Sequence, residues 1–220
     1  MAPRSRLLAL FVAIVLVRLS APAWAQAARV PPNDASDYQT GAALCTKGDA
    51  KACNVVGAMF ATGVHGVKLD AAQAFPYFDK ACAGGYAIGC ANLANAYYNG
   101  LGVTMARTKS IAVYQRACDL GAVTACVDLG VIYRDGKGDL EKNQTYAAQL
   151  FQRACNLNAP ACASIASMYE LGWGVSKDLV LAKTLYQKSC YAPRSDSAED
   201  VQRIWSRAAC NVVSRMSQRR

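Results

Sequence analysis

Cysteines occur in pairs that recur along the chain at a nearly constant spacing. The ten cysteines stand at positions 45, 53, 82, 90, 118, 126, 155, 162, 190 and 210. The first members of successive pairs lie 37, 36, 37 and 35 residues apart. A fixed period of roughly 20 to 50 residues is typical of repeat proteins in which similar units stack side by side. The spacing therefore predicts a solenoid.

Other residues repeat at fixed distances from the second cysteine of each pair. Small residues follow four positions later, at Gly57, Ala94, Gly130 and Ala166. Aromatic residues follow seven positions later, at Phe60, Tyr97, Tyr133 and Tyr169. Glycines follow ten positions later, at Gly63, Gly100, Gly136 and Gly172. Offsets of four and seven share one face of an α-helix, and glycine ends a helix in a tight turn. Each unit is therefore predicted to be a helix, a glycine turn and a second helix.

The spacing within a cysteine pair restricts how the two sulfurs can meet. On one continuous helix, eight residues rise about 12 Å, whereas a disulfide needs Cα atoms roughly 4.4 to 6.8 Å apart. A pair can close only if the chain reverses between its members. "AGGYAIG" and "DLGAVTA" contain glycine for such a bend, and "NLNAPA" uses Asn and Pro. Closed pairs would tie the end of one helical unit to the start of the next.

The first 25 residues have the form of a secretory signal peptide. Arg4 and Arg6 precede the apolar run 7–17, and Ala23-Trp24-Ala25 provides a small-residue cleavage site. Eleven apolar residues are too few to span a bilayer, which needs about 20. We therefore expect export to the periplasm or secretion, with no membrane span in the rest of the chain. In such an oxidising compartment, an even number of cysteines normally forms disulfides.

Several kinds of chemistry lack their sequence signals. Zinc sites typically use C-x2-4-C spacing, and the one histidine, His65, lies in a predicted turn. The chain has no C-x-x-C redox motif, and beyond the first 25 residues it has no S-x-x-K motif of serine β-lactamases. The repeat explains the "YYN" at 97–99 as packing, although it mimics a Tyr-x-Asn motif. We expect no catalytic residues, cofactor or metal, and the modest, dispersed positive charge of +9 does not favour nucleic acid.

The repeated residues resemble those of the Sel-like repeat family, relatives of the tetratricopeptide repeat. The resemblance lies in "ACNVVGAMFATG", "CANLANAYYNGLGV" with "YQRAC", "CVDLGVIYRDGKG" with "FQRAC", and "CASIASMYELGWGV" with "YQKSC". With a cysteine pair in every unit, the chain is similar to the Helicobacter cysteine-rich proteins. This resemblance implies an all-α, right-handed α/α solenoid with one disulfide per repeat and a concave interaction surface.

The resemblance and the spacing together predict the organisation of the chain. A signal peptide (1–25) and a disordered linker (26–34) precede the solenoid (35–220). The solenoid divides into a half repeat (35–45), four repeats (46–82, 83–118, 119–155, 156–190) and a C-terminal cap (191–220). The implied disulfides are Cys45–Cys53, Cys82–Cys90, Cys118–Cys126, Cys155–Cys162 and Cys190–Cys210.

Polar residues of the first helices that fall outside the packing pattern are the candidate partner-binding residues. They are Asn92, Asn95, Asn99, Asp128, Asp135 and Glu170. The favoured hypothesis is a scaffold or adaptor that binds a protein or peptide on its concave face. The alternative, implied only by the resemblance, is a penicillin-binding protein with weak β-lactamase activity, for which β-lactams or cell-wall fragments would be ligands.

Overall fold

The computed structural model describes residues 38–137, 140–192 and 200–218. The predicted signal peptide and linker lie outside these ranges, as do parts of the predicted half repeat and cap. Ten α-helices and one short 3-10 turn account for the regular structure of the described residues, which contain no strand. The predicted fold class, an all-helical repeat array with about one disulfide per repeat, is confirmed.

Four helix pairs form the body of the array, and each pair is called a unit. The first helices of the units are α2 (Ala50–Thr62), α4 (Ala87–Asn99), α6 (Val123–Asp135) and α8 (Cys162–Leu171). The second helices are α3 (Ala71–Ala83), α5 (Arg107–Asp119), α7 (Gln144–Leu157) and α9 (Leu179–Cys190). Helix α1 (Tyr38–Thr46) precedes the units, and α10 (Asp200–Gln218) follows them. Each helix packs mainly against its neighbours in the sequence.

A glycine in the left-handed conformation ends every first helix, as the sequence predicts. Gly63, Gly100, Gly136 and Gly172 have φ values between 68° and 74°. The backbone N–H of each glycine donates to a carbonyl oxygen in the last turn, as Gly63 does to Met59. Only glycine adopts this conformation without a steric penalty, so the turn position is fixed by the sequence.

The loop between the two helices of a unit is closed in the same way in all four units. The backbone N–H that precedes each second helix donates to the carbonyl oxygen of the aromatic residue at the seventh position. The four bonds are Asp70 to Phe60, Ala106 to Tyr97, Asn143 to Tyr133 and Asp178 to Tyr169, at 2.8 to 2.9 Å. In three units the residue that donates is also the side-chain cap of the second helix, namely Asp70, Asn143 and Asp178.

In the first and third units, the small residue of the first helix lies where a ring of the second helix needs room. A Cβ added at Gly57 would lie 2.7 Å from the ring of Phe78, and one added at Gly130 would lie 2.5 Å from the ring of Phe151. Phe78 and Phe151 are both buried in the main core. The close approach of the two helices in a unit therefore depends on the absence of a side chain at these two glycines.

Five disulfides close the connections that join a unit to the next unit or to a terminal helix. They join Cys45–Cys53, Cys82–Cys90, Cys118–Cys126, Cys155–Cys162 and Cys190–Cys210, with Cα atoms 4.2 to 4.7 Å apart. The first three bends reverse at glycines with positive φ, namely Gly48, Gly85 and Gly121. The fourth bend is one residue shorter and reverses through the 3-10 turn Ala159–Ala161, which contains Pro160.

Contacts between units depend on the second glycine of the turn that follows a first helix. Gly102, in the second unit, lies against the backbone of Ala71 at the start of α3 in the first unit. Gly174, in the fourth unit, lies in the same way against Gln144 at the start of α7 in the third. Both glycines have positive φ, and a Cβ at either would collide with backbone atoms. Each such loop therefore places one unit on the preceding one.

We predict that Gly174→Ala destabilises the protein much more than Gly66→Ala. Both glycines have positive φ, which costs a side-chain-bearing residue about 1 to 2 kcal/mol. At Gly66, however, an added Cβ has no described atom within 4 Å, whereas at Gly174 it meets the backbone of Gln144. Urea unfolding should therefore show a loss for Gly174→Ala that exceeds the loss for Gly66→Ala by at least about 1 kcal/mol. Equal losses would show that the inter-unit contact is unimportant.

Removal of one bridging pair, by Cys82→Ala with Cys90→Ala, should lower the free energy of unfolding by about 2.5 kcal/mol. The basis is that a short closed loop restricts the unfolded chain. The measurement is urea unfolding of the variant and of the wild type under non-reducing conditions. A variant as stable as the wild type would contradict this role of the disulfide.

Candidate interaction surface

Three of the six predicted partner-binding residues lie in the last turn of successive first helices. Asn99 ends α4, Asp135 ends α6, and Glu170 is the next-to-last residue of α8. Asn99 is exposed, while Asp135 and Glu170 are half-buried. The structure therefore places these three residues at one level of the array, next to the glycine turns.

Each of these three side chains has a partner within the chain. The Nδ2 of Asn99 donates to the carbonyl oxygen of Asn95, and Oε2 of Glu170 accepts from the hydroxyl of Tyr186 at 2.9 Å. Asp135 forms ion pairs with Arg134 at 2.7 Å and Lys137 at 3.4 Å. The hydrogen bond from Arg134 is the main reason why the pKa of Asp135 is below its usual value.

Asn92 and Asn95 lie deeper, in the contacts between helices. Asn92 is buried, and its Nδ2 donates to Oδ1 of Asn54 in the preceding unit at 2.8 Å. The Oδ1 of Asn95 accepts from the hydroxyl of Tyr114 at 2.7 Å, and its Nδ2 donates to the carbonyl oxygen of Ala91. The two carboxamides therefore join helices to each other, because a buried polar group needs a partner.

Asp128 lies in α6 close to Tyr114 of the preceding unit. The side chain is only half-buried by surface area, but protein atoms surround its carboxyl group and raise its pKa from 3.8 to about 6. Burial also raises the pKa of Tyr114, and the nearby Asp128 contributes to that shift. Asn95, Tyr114 and Asp128 therefore form a polar group at the junction of the second and third units.

Three of the four aromatic residues at the seventh position pack against other aromatic rings. The ring of Phe60 stacks on Tyr77, with centroids 5.8 Å apart. Tyr97 meets Phe75 edge to face at 5.2 Å, and Tyr133 meets Tyr146 at 4.8 Å. These rings join first helices to second helices, which is the packing role that the repeat pattern predicts.

A cleft of about 500 Å³ lies between α7 and α8, and none of the six predicted partner-binding residues lines it. The exposed side of α7 contributes carboxamides to it, including Gln149, Gln152 and Asn156, and α8 contributes Tyr169. Gln152 donates to Asn156 at 2.9 Å. The signal that could have identified this surface is the run of carboxamides at helical spacing on a second helix.

The described residues contain few features of a reactive centre. All ten cysteines are in disulfides, and no cluster of three or more histidine, cysteine or acidic side chains within these residues could hold a metal ion. Within the same ranges, none of the helices combines the length and the apolar character that crossing a bilayer requires.

Comparison with known sequences identifies four consecutive repeats. The profile of the Sel1 repeat matches residues 50–86, 87–121, 123–158 and 159–192. The chain is also similar to cytochrome c oxidase assembly factor 7A of Xenopus laevis, with 35% identity over 119 residues. That alignment covers 52% of this chain and 51% of the relative, so the chain spans about half of the relative's length.

A solved structure shows the same fold. A Sel1 repeat protein from Oxalobacter formigenes superimposes with a TM-score of 0.67 and 21% identity, covering 87% of this chain and 53% of that one. Helicobacter pylori cysteine rich protein B gives a TM-score of 0.48 with 26% identity, covering 66% of this chain and 95% of that one.

We predict that Asp128→Asn stabilises the protein at neutral pH and has little effect at pH 4. The pKa of this carboxyl group is 3.8 in the unfolded chain and about 6 in the folded protein. Its protonated form therefore adds to the free energy of unfolding, and the contribution is complete below pH 3.8. That contribution is lost as the pH rises through about 6. At pH 7.5 the variant should gain about 2 to 3 kcal/mol, measured by urea unfolding across pH 4 to 8. Asp135→Asn is the control, because a lowered pKa predicts no gain at pH 7.5.

Proposed function

Because the chain belongs to the Sel1 repeat family, we propose that it is a disulfide-braced helical scaffold that binds a protein or a peptide. The contrast between constant and variable positions in the four units carries this proposal. The small residue, the aromatic residue and the turn glycine recur in every unit. The two residues just before the turn glycine differ in every unit: Ala61-Thr62, Tyr98-Asn99, Arg134-Asp135 and Glu170-Leu171.

The row of differing residues has the chemistry of a recognition surface. Its members include an aromatic ring with a carboxamide, a pair of opposite charges and a carboxylate, at the same position of successive first helices. In this proposal the first helices line the concave face, so a partner that crosses the units meets a sequence of different groups. Asn99, Asp135 and Glu170 would bind the partner, whereas Asn92 and Asn95 would hold the surface in shape through their bonds to Asn54 and Tyr114.

A rigid support suits this role. A surface that is already ordered before binding loses less conformational entropy when the partner binds, so less of the binding free energy is offset. Five disulfides hold the connections between units and terminal helices in place. The similarity to an assembly factor in Xenopus laevis, by that protein's name, agrees with a role in bringing other proteins together.

We also propose that the protein acts in the periplasm or outside the cell. Residues 1–25 have the pattern of a cleaved signal peptide, and disulfides persist mainly in oxidising compartments. The alternative of a β-lactam hydrolase is not proposed, since no observation on the described residues favours it.

The triple variant Asn99→Ala, Asp135→Ala, Glu170→Ala should capture at least tenfold less of the partner than the wild type does. Each lost polar contact weakens binding by about 0.5 to 1.5 kcal/mol, and tenfold corresponds to about 1.4 kcal/mol. The measurement is chemical cross-linking in the exported fraction, followed by quantitative mass spectrometry. The double variant Asn99→Ala, Asp135→Ala tests the same surface and keeps the hydrogen bond that Glu170 accepts from Tyr186.

The matched control carries Asp79→Ala, Arg116→Ala and Thr184→Ala, at exposed positions of second helices outside the cleft between α7 and α8. It should capture the partner as the wild type does, with the same circular dichroism spectrum. An equal loss in the control, or full capture by a folded triple variant, would contradict the proposed surface.

A further inference from the structure

The first and second units enclose an apolar cavity of about 130 Å³. Ala61 of α2, Phe75 and Phe78 of α3, and Ala96 of α4 form its walls. Leu69, in the loop before α3, also lines the cavity, yet 60% of its surface is exposed to solvent. An engineered cavity of similar size, about 150 Å³, stays dry and accepts a benzene molecule. The space is therefore large enough for one side chain.

The cavity exists because two positions of the repeat carry alanine in place of a large residue. The sixth residue after the second cysteine is Met59, Ile132 or Met168 in the other three units but Ala96 in the second. Those three larger side chains are buried. The eighth residue is Tyr98, Arg134 or Glu170 in three units but Ala61 in the first. Both alanines border the same space, so the missing volume is specific to this junction.

The polar groups that reach the cavity are engaged in bonds within the chain. Asn92 donates to Asn54, and Asn95 both accepts from Tyr114 and donates to Ala91. The remaining walls are hydrocarbon. A charged or strongly polar group would lose its hydration on entering and gain few new bonds, which is unfavourable. The chemistry of the walls therefore selects an uncharged, apolar occupant.

We propose that this cavity, called the socket below, binds one apolar side chain of the bound protein or peptide, namely a methionine, leucine or isoleucine. The proposal rests on the proposed scaffold function and names the feature by which the partner is anchored. The size of the occupant follows from the other units, where a methionine or isoleucine of the chain itself is buried at the same position. Burial of such a side chain contributes about 1.5 to 3 kcal/mol, enough to make it a main anchor of an interface.

The test uses a probe that needs no identified partner. N-acetylmethionine amide is titrated into the full chain while methyl shifts of Leu69 and Leu101, which line the cavity, are followed by NMR. We expect saturable shifts, with a dissociation constant of about 1 to 10 mM for so small a ligand. N-acetylglutamine amide has a side chain of similar length but is polar, and it should bind at least tenfold more weakly. Absence of saturable shifts with the methionine probe would overturn the proposal.

Variants that fill the cavity provide the second arm. Ala96→Met and Ala96→Ile give the second unit the residues of the other units, so they should abolish the shifts and raise the melting temperature. Ala83→Met adds the same side chain at an exposed position and should bind the probe as the wild type does. Undiminished binding by a folded Ala96 variant would overturn the socket.

Two further outcomes would assign the cavity to another occupant and so overturn the proposal. Nuclear Overhauser effects from residues 26–37 to Leu69 in the free protein would show that the chain fills its own socket. Shifts that depend on protein concentration without any probe would show that a second copy fills it. The probe experiment does not use the partner. If the probe does not bind, the capture experiment with the triple variant still tests the scaffold function independently.

Discussion

Covalent closure of the bends that join one unit to the next is the constraint on which the rest of the structure depends. The helices of the four units contain between 10 and 14 residues. Isolated helices of this length are marginal in water, and each unit of a solenoid contacts little beyond its neighbours. A disulfide at each bend between units fixes the direction of the helix that follows. The sulfurs of most pairs are also buried, so they add to the core that the helices share.

Given fixed bends, the packing of the units depends on where side chains are absent. Gly57 and Gly130 admit rings from the second helices, and Gly102 and Gly174 bring a loop onto the backbone of the preceding unit. These contacts leave no room for variation, because even a methyl group would displace a ring or a backbone segment. Variation is instead available at the end of each first helix, which is where the polar residues of successive units differ. In the proposed function, stability and recognition therefore depend on different positions of the same helix.

The sequence predicts most of the fold because its signals repeat. It does not predict features that occur once or at different offsets from the cysteines. The turn glycines, the small residues and the cysteine bends each recur at one spacing, so the repetition identifies them. Asn54 and Asn92 bond to each other, yet they stand one and two residues after their cysteines, so alignment does not match them. The last helix contains "CNVVSRM" from Cys210, close to "CNVVGAM" from Cys53, and Val213 is buried as Val56 is. Cys190 and Cys210 are 20 residues apart rather than seven or eight, so the repeat spacing does not reveal this relation.

In a chain of similar units, the positions that break the chain's own pattern are the informative ones. Ala96 stands where the other units carry a buried methionine or isoleucine, although a larger residue would add apolar contact. Asp128 holds a carboxyl group at a junction where its ionised form is disfavoured, as the raised pKa shows. At the position of Ala96 the other units carry a larger buried residue, and at the position of Asp128 they carry Val55, Asn92 and Ser164, none of which is ionisable. Ala96 and Asp128 lie in the second unit and at its junction with the third, close to the bonded pair Asn95 and Tyr114. In the proposed function, binding at this part of the array would account for both residues.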